Sequence, residues 1–549
     1  MEHPPSGIPA ARAETAPVRA SARYVAAMTN RAHRIAVVGA GPAGFYATGH
    51  LLDAEPDIEV DLYDRLPTPW GLVRHGVAPD HPKIKAVSRV FEKIAAKPGF
   101  RMFGNVEIGR DVSHAQLMEH YDGVIYAYGA QADRRMGIPG EDLPGSLPAT
   151  AFVAWYNGHP DFYDLDPNLQ IDRAVVIGNG NVAVDVARMM ALAPEELAPT
   201  DTGDHAIEIF NASTLKDIVI AGRRGPLQAA YTNPELLELG ELQIADVIVS
   251  PAEAQLDALS QAALADASLP DQRNVEVVQE YARRARTDRP RTVTLRYLLS
   301  PLEIRGEGRV EEIVMVKNRL ELSDDGTVRA VATDETETIP CGLVLRSVGY
   351  RGLPVEGVPF DDKRCVIPNA DGRALGEDGR PVTGVYCTGW IKRGPSGVIG
   401  TNKKCGVETA DALLEDLHAG RCEPRRRRAA GRRPSARGRR VRPLGRHRRP
   451  RARARRGQRP AAHQDLLVGG PAGEALGRRW WRRAFEPVVQ QVLLDQMNAP
   501  SDEHHDNRPE QHREEQKRPG LHGWREHDDH RRRAGRWMQA VESAHHDKS

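Results

Sequence analysis

Cysteine is scarce in this 549-residue chain, and its five copies, Cys341, Cys365, Cys387, Cys405 and Cys422, form no C-x-x-C pair and have no histidine at zinc-ligand spacing. That pattern argues against a disulfide framework, a metal site and a redox dithiol, and it suits a reducing, cytoplasmic setting. No uninterrupted apolar run approaches the ~20 residues of a membrane span, and the N-terminus has no apolar stretch of signal-peptide length. Neither a membrane partner nor secretion is expected. Aromatic residues reach only 5%, but with 40% hydrophobic residues, 50 glycines and 40 prolines the balance is that of a turn-rich globular protein and excludes a fibre.

Charge is unevenly spread. Residues 424–549 carry 32 Lys+Arg against 15 Asp+Glu, while residues 1–423 carry 44 against 60, so a net +1 conceals two chemically different pieces. Residues 425–460 contain no lysine and no acid; Arg, Ala, Gly and Pro fill 31 of the 36 positions. Three readings fit this segment: a nucleic-acid-binding arm, a disordered tail, or a shifted reading frame. Evolved basic arms mix Lys with Arg and interleave aromatics, whereas GC-rich codons read out of frame give this composition, so the frame shift is favoured and nucleic acid is not expected as a partner. The first 33 residues are Ala/Pro/Arg-rich and aperiodic, and read as disordered or as an extension upstream of Met28. Arg12, Arg19 and Arg23 suit a transit peptide, and Glu2 and Glu14 weigh against one.

Between these ends the pattern is α/β. A strand at Ile35–Val38 meets the turn Gly39-Ala40-Gly41-Pro42-Ala43-Gly44, a helix follows to about Leu52, and a strand from Ile58 ends at Asp64. In this G-x-G-x-x-G context the first glycine permits the turn and the second admits a pyrophosphate. The third lets helix pack on strand, and Asp64 is placed to accept hydrogen bonds from a ribose. A second unit starts at Ala174–Ile177, with the turn Gly178-Asn179-Gly180-Asn181-Val182-Ala183 and a helix to about Leu192; Asn181 could simply cap that helix. Its next strand, Asp217–Ala221, ends not in an acid but in Arg223-Arg224, which suits the 2′-phosphate of NADP or, in the plainer reading, a solvated surface pair. A helix is expected from Ile84 to about Ala95, and a polar surface excursion over 251–290. Two dinucleotide sites without a C-x-x-C pair imply hydride transfer to a bound flavin, with electrons leaving to an external acceptor.

Four longer segments carry a resemblance. Pro67-Thr68-Pro69-Trp70-Gly71-Leu72-Val73-Arg74 with Gly76-Val77-Ala78-Pro79-Asp80-His81-Pro82-Lys83 is the first, and Val176 to Ala183, Gly222-Arg223-Arg224-Gly225-Pro226 and Gly389 to Asn402 are the others. Together they resemble the adrenodoxin-reductase-like ferredoxin–NADP reductases of bacterial type. The resemblance implies two Rossmann-like dinucleotide-binding domains, with the NADP domain (130–345) inserted into a split FAD domain (34–129 and 346–423). It implies FAD and NADP as cofactors, NADPH as electron donor and a ferredoxin as acceptor. Ala43, Asp64, Leu72 and Ile108 would then contact FAD beside Gly39, Gly41 and Gly44. Trp390, Gly397, Val398 and Ile399 would meet the flavin ring, and Arg134, Asn179, Gly180, Asn181, Val182, Arg223, Arg224 and Glu235 would contact NADP. His81 and Glu238 match residues near the nicotinamide, where orientation and charge balance are their expected work. The alternatives are that Asp80-His81-Pro82 merely starts a helix and that Glu238 merely belongs to an acidic one.

Overall fold

A computed structural model of the chain describes residues 33–422. The expectations for the first 33 residues, apart from His33, and for the basic tail lie outside these. Along the chain, β1 (His33–Val38), the helix Pro42–Ala54, β2 (Ile58–Tyr63), β3 (Phe100–Phe103) and β4 (Gly123–Tyr126) come first. They are followed by β5 (Ala132–Asp133), β6 (Ser146–Pro148), β7 (Arg173–Ile177), the helix Asn181–Ala191, β8 (Asp217–Ala221), β9 (Ala245–Val249) and β10 (Arg291–Arg296). Then come β11 (Leu299–Arg305), β12 (Glu312–Leu322), β13 (Val328–Pro340), β14 (Leu343–Arg346), β15 (Tyr350–Arg351), β16 (Asn369–Ala370), β17 (Arg373–Leu375) and β18 (Pro381–Cys387), and the helix Ile399–His418.

These strands build two main sheets. One runs β16-β17-β18-β4-β1-β2-β3 and the other β6-β14-β7-β8-β10-β9. The central strands are short continuous runs of Val, Ile and Ala buried on both sides, as parallel strands covered by helices must be. In the first sheet β1 is flanked by β2 and β4, and in the second β7 is flanked by β8 and β14, all parallel. Each is therefore the strand at which the order reverses, and each is followed by one of the two glycine turns. The crevice beyond such a reversal is where open α/β sheets take ligands.

The first sheet draws on both ends of the described chain. The helix Ile399–His418 lies on Pro42–Ala54 so closely that a Cβ on Gly406 would come within 2.9 Å of the Ala47 nitrogen. Leu413 and Ala410 are fully buried there with Ile35, Val37 and Phe45. Between the two sheets the chain passes through the antiparallel ribbon β5–β15, and β11–β13 add a separate antiparallel sheet.

Several sequence expectations are corrected. The helix expected from Ile84 is two, Pro82–Lys85 and Ser88–Ala95. The stretch 251–290 is not a mere excursion: the helix Leu269–Arg283 buries Val275, Val278 and Tyr281, spaced three apart on one face, a narrow stripe diluted by charges in the sequence. β9 and β13 were not expected; β13 is largely exposed, so its polar composition conceals it.

Candidate active site

The first turn is set by close approach. Gly39 has φ +112°, and a Cβ there would lie 2.6 Å from the Ala127 carbonyl; a Cβ on Gly44 would lie 2.0 Å from the Gly39 oxygen. Gly41 differs, because a Cβ there meets nothing within 4 Å, which leaves the space a pyrophosphate needs. Asp64 uses both carboxylate oxygens locally, accepting the Ala40 N–H at 2.7 Å and the Leu66 N–H at 2.8 Å. Burial pushes its carboxyl up while these two bonds pull it down. Its first structural role is thus to brace the turn. The Trp70-Gly71 bend lies against the same turn, with the Trp70 N–H donating to the Ala40 oxygen at 2.8 Å.

Ala43 and Ile108 are packed into protein, Ala43 beneath Gly389 and Ile108 beside Leu117 and Tyr126. Leu72 and Val398, by contrast, are 38% and 62% exposed. The Trp390 ring lies tilted at 51° to that of Tyr350, with centroids 5.2 Å apart, and donates its Nε1–H to the Ser396 oxygen. Gly397 has φ +78° and Ile399 begins the long helix behind it. Exposed apolar side chains beside an open glycine turn fit a flat, amphipathic group such as FAD.

The second turn repeats the scheme. A Cβ on Gly178 would strike the Ser347 oxygen at 2.2 Å, whereas one on Gly180 finds only Ala230 at 3.9 Å. Val182 packs against the core of the second sheet and Ala183 is fully buried in the place of the third glycine. Asn181 does not cap its helix: its side-chain oxygen accepts the Thr232 N–H at 2.8 Å, tying the turn to the helix Asn233–Leu239. Asn179 keeps a buried side-chain N–H without a partner. The Arg223-Arg224 loop lies against this turn, since a Cβ on Gly222 would be 2.5 Å from Asn179 Nδ2. Its backbone is pinned by Asn318 Nδ2 on the Arg223 oxygen at 2.9 Å. Arg223 is exposed and Arg224 half-buried; burial and then Arg223 lower the Arg224 guanidinium, and among the described residues neither has a carboxylate within salt-bridge distance. Arg134 is exposed beside the crossing ribbon, its Nε on the Tyr350 oxygen at 3.3 Å.

The two lobes meet at the predicted pair. His81 Nε2 lies 3.1 Å from Glu238 Oε2 and 3.7 Å from Glu235 Oε2. Glu235, expected to contact NADP, is 8% exposed and bound to Arg188 here. The Arg188 guanidinium, 3% exposed, was missed in the sequence, as was Asp185 at 3.0 Å from it. The available signal was two charges three apart on a helix otherwise made of Val, Ala and Met. Burial pushes the Asp185 carboxyl well up, with Glu235 adding to the effect and Arg188 opposing it. His81, Glu235 and Glu238 offer donor atoms within 4.8 Å of one another, a set of metal-ligating kinds. Arg188 Nη1 stands 3.0 Å from both carboxylates, so a cation already occupies their point of convergence.

A two-sheet fold with a glycine turn at each reversal and a histidine–carboxylate junction between them defines a two-dinucleotide oxidoreductase. Residues 33–207 match the family described as pyridine nucleotide-disulphide oxidoreductase. The chain is similar to the NADPH-ferredoxin reductase FprA of Mycobacterium leprae, 50% identical over 392 residues, covering 70% of this chain and 84% of that one. It is also similar to the human mitochondrial NADPH:adrenodoxin oxidoreductase, 44% identical over 402 residues and covering 79% of it. Among solved structures it resembles Mycobacterium tuberculosis FprA in complex with NADPH, at 49% identity and a TM-score of 0.69 over 72% of this chain and 87% of that one. The chain belongs to the adrenodoxin-reductase-like NADPH-ferredoxin reductases.

Proposed function

We propose that this chain binds FAD at the Gly39–Gly44 turn and NADPH at the Gly178–Ala183 turn, and works as an NADPH–ferredoxin reductase. When bound, the flavin supplies acceptance of a hydride from NADPH and release of the two electrons, one at a time, to a ferredoxin. The observation that carries the reading is the His81–Glu238 contact at 3.1 Å, which joins residues of the two lobes between their two open crevices.

The chain's own residues bind and orient. The Gly39–Gly44 and Gly178–Ala183 turns present helix N-termini to the two diphosphates. Arg223 and Arg224 hold the 2′-phosphate through charge-assisted contacts, which sets the preference for NADPH over NADH. Trp390, Gly397, Val398 and Ile399 wall the flavin crevice and keep water from it. His81 and Glu238 would hold the nicotinamide end of the second crevice against the first, sparing the hydride transfer that the bound cofactors would supply a search for alignment. Hydride transfer needs no proton on carbon, so this pair orients and balances charge.

A cytoplasmic setting is part of the proposal. All five cysteines are free, four of them buried, and among the described residues no helix is long and apolar enough to cross a membrane. The test is optical: the purified protein is expected to be yellow, to bleach on adding NADPH, and to reduce cytochrome c only with a ferredoxin present. A colourless protein ends the reading. Cytochrome c reduction independent of ferredoxin assigns a different acceptor.

A further inference from the structure

We propose that Arg188 is the positioning residue of this site: by gripping Asp80 across the two lobes it sets where His81 and Glu238 stand relative to each other. The inference rests on the NADPH-to-flavin reading above and concerns what holds that site together.

Arg188 lies on the helix Asn181–Ala191 of the NADP lobe. Its Nε and Nη2 hold the two oxygens of Asp80 at 2.7 and 2.9 Å, a fork that a guanidinium makes and an ammonium cannot. Nη1 lies 3.0 Å from Glu235 Oε2 and 3.0 Å from Glu238 Oε2, and Nη2 touches His81 Nε2. Asp80 and His81 belong to the FAD lobe, and Glu235, Glu238 and Asp185, which lies 3.0 Å from Arg188 Nη2, to the NADP lobe. Apart from its neighbour Asp80, every charged partner of the His81 ring comes from the opposite lobe: Asp185, Glu235, Glu238 and Arg188. The loop that carries His81 is also packed on that lobe through Ala78, which is buried in its core, and the charged partners fix where the His81 ring stands. The one guanidinium also offsets part of the negative charge of the carboxylates that burial gathers around it.

A second tether separates positioning from mere adhesion. Lys85, on the same FAD-lobe segment, reaches Asn157 at 2.9 Å and Asp201 at 2.9 Å in the NADP lobe; among the described residues it makes no hydrogen bond or ion pair to the His81 cluster and acts on Asp80 only through its charge at longer range. Removing it loosens the lobes and leaves the Arg188 fork in place.

The test uses the FAD-loaded protein and four variants: Asp80→Asn, Arg188→Lys, Arg188→Met and Lys85→Ala. Stopped-flow absorbance gives the limiting rate of flavin bleaching and the NADPH dissociation constant, and hydrogen exchange follows residues 76–87 before NADPH is added. In Asp80→Asn the limiting rate is expected to fall about ten- to hundredfold with the dissociation constant changed less than about threefold. Exchange in 76–87 should quicken. Arg188→Lys should lie between wild type and Arg188→Met; if the Met variant does not fold, Asp80→Asn carries the test. Lys85→Ala should keep the wild-type rate. An unchanged rate in Asp80→Asn and Arg188→Lys, or an equal fall in Lys85→Ala, overturns the assignment. Failure of the wild type to bleach overturns the functional reading instead.

Discussion

Replacing Arg223 and Arg224 together by alanine removes the two positive charges proposed to hold the 2′-phosphate. Neither guanidinium is paired with a carboxylate within the described residues, and the loop backbone is held independently by Asn318. The substitution therefore takes away ligand contacts without breaking an internal ion pair. A charge-assisted hydrogen bond contributes about 1.5–3 kcal/mol. Arg223 is exposed and screened by salt, so its share is discounted; Arg224 is half-buried and keeps more of its own. A combined loss of roughly 2–4 kcal/mol is expected, which at 1.36 kcal/mol per decade lowers kcat/KM for NADPH by roughly 30- to 1,000-fold. NADH, which lacks the 2′-phosphate, should change by no more than about threefold, and thermal stability should stay within ~0.5 kcal/mol of wild type. Steady-state reduction of an artificial acceptor, run with both nucleotides at low and high salt, measures all of this. A parallel fall for NADPH and NADH would refute the placement of the 2′-phosphate.

Three further outcomes follow from the geometry. Gly41→Val should fold normally, because its side chain enters open space, yet lose FAD, whereas Gly44→Ala should destabilise the protein because its Cβ would meet the Gly39 oxygen at 2.0 Å; flavin absorbance and thermal melting separate the two. Leu413→Ala, at a fully buried position, should cost about 2–5 kcal/mol in a denaturant titration. His75 is 7% exposed, and burial lowers its pKa from 6.5 to about 3 against a weak opposing contact with the Asn157 backbone. Between those values only the unfolded chain takes up the proton, so stability is greatest above pH 6.5 and falls with acid. From pH 6.5 to 5 the loss from this group is about 1.6 kcal/mol, which His75→Leu should abolish; an unaltered acid limb in denaturant titrations counts against the burial argument.

Both glycine turns and the strands before them were legible because they depend on local rules: a run of Val, Ile and Ala, then glycines where backbone must bend or approach a ligand. Arg223-Arg224 was legible for a related reason, since it takes the place where such a strand usually ends in an acid. Asp64 was located correctly, but its bonds to Ala40 and Leu66 were not foreseen, because a carboxylate's partners are chosen by the loop that folds over it. The helix Leu269–Arg283 and the strand β13 escaped because one hides a narrow apolar stripe among charges and the other is mostly exposed.

The centre of the site was decided by tertiary structure alone. His81, Arg188 and Glu238 are 107 and 50 positions apart, and no periodicity links a loop of one lobe to two helices of the other. The sequence by itself determined where the two glycine turns lie, because each is a property of a few adjacent residues. Only the folded chain decided that a buried guanidinium stands between them, because its four acids lie as far as 108 positions away in sequence and only the packing of the two lobes brings them to one point.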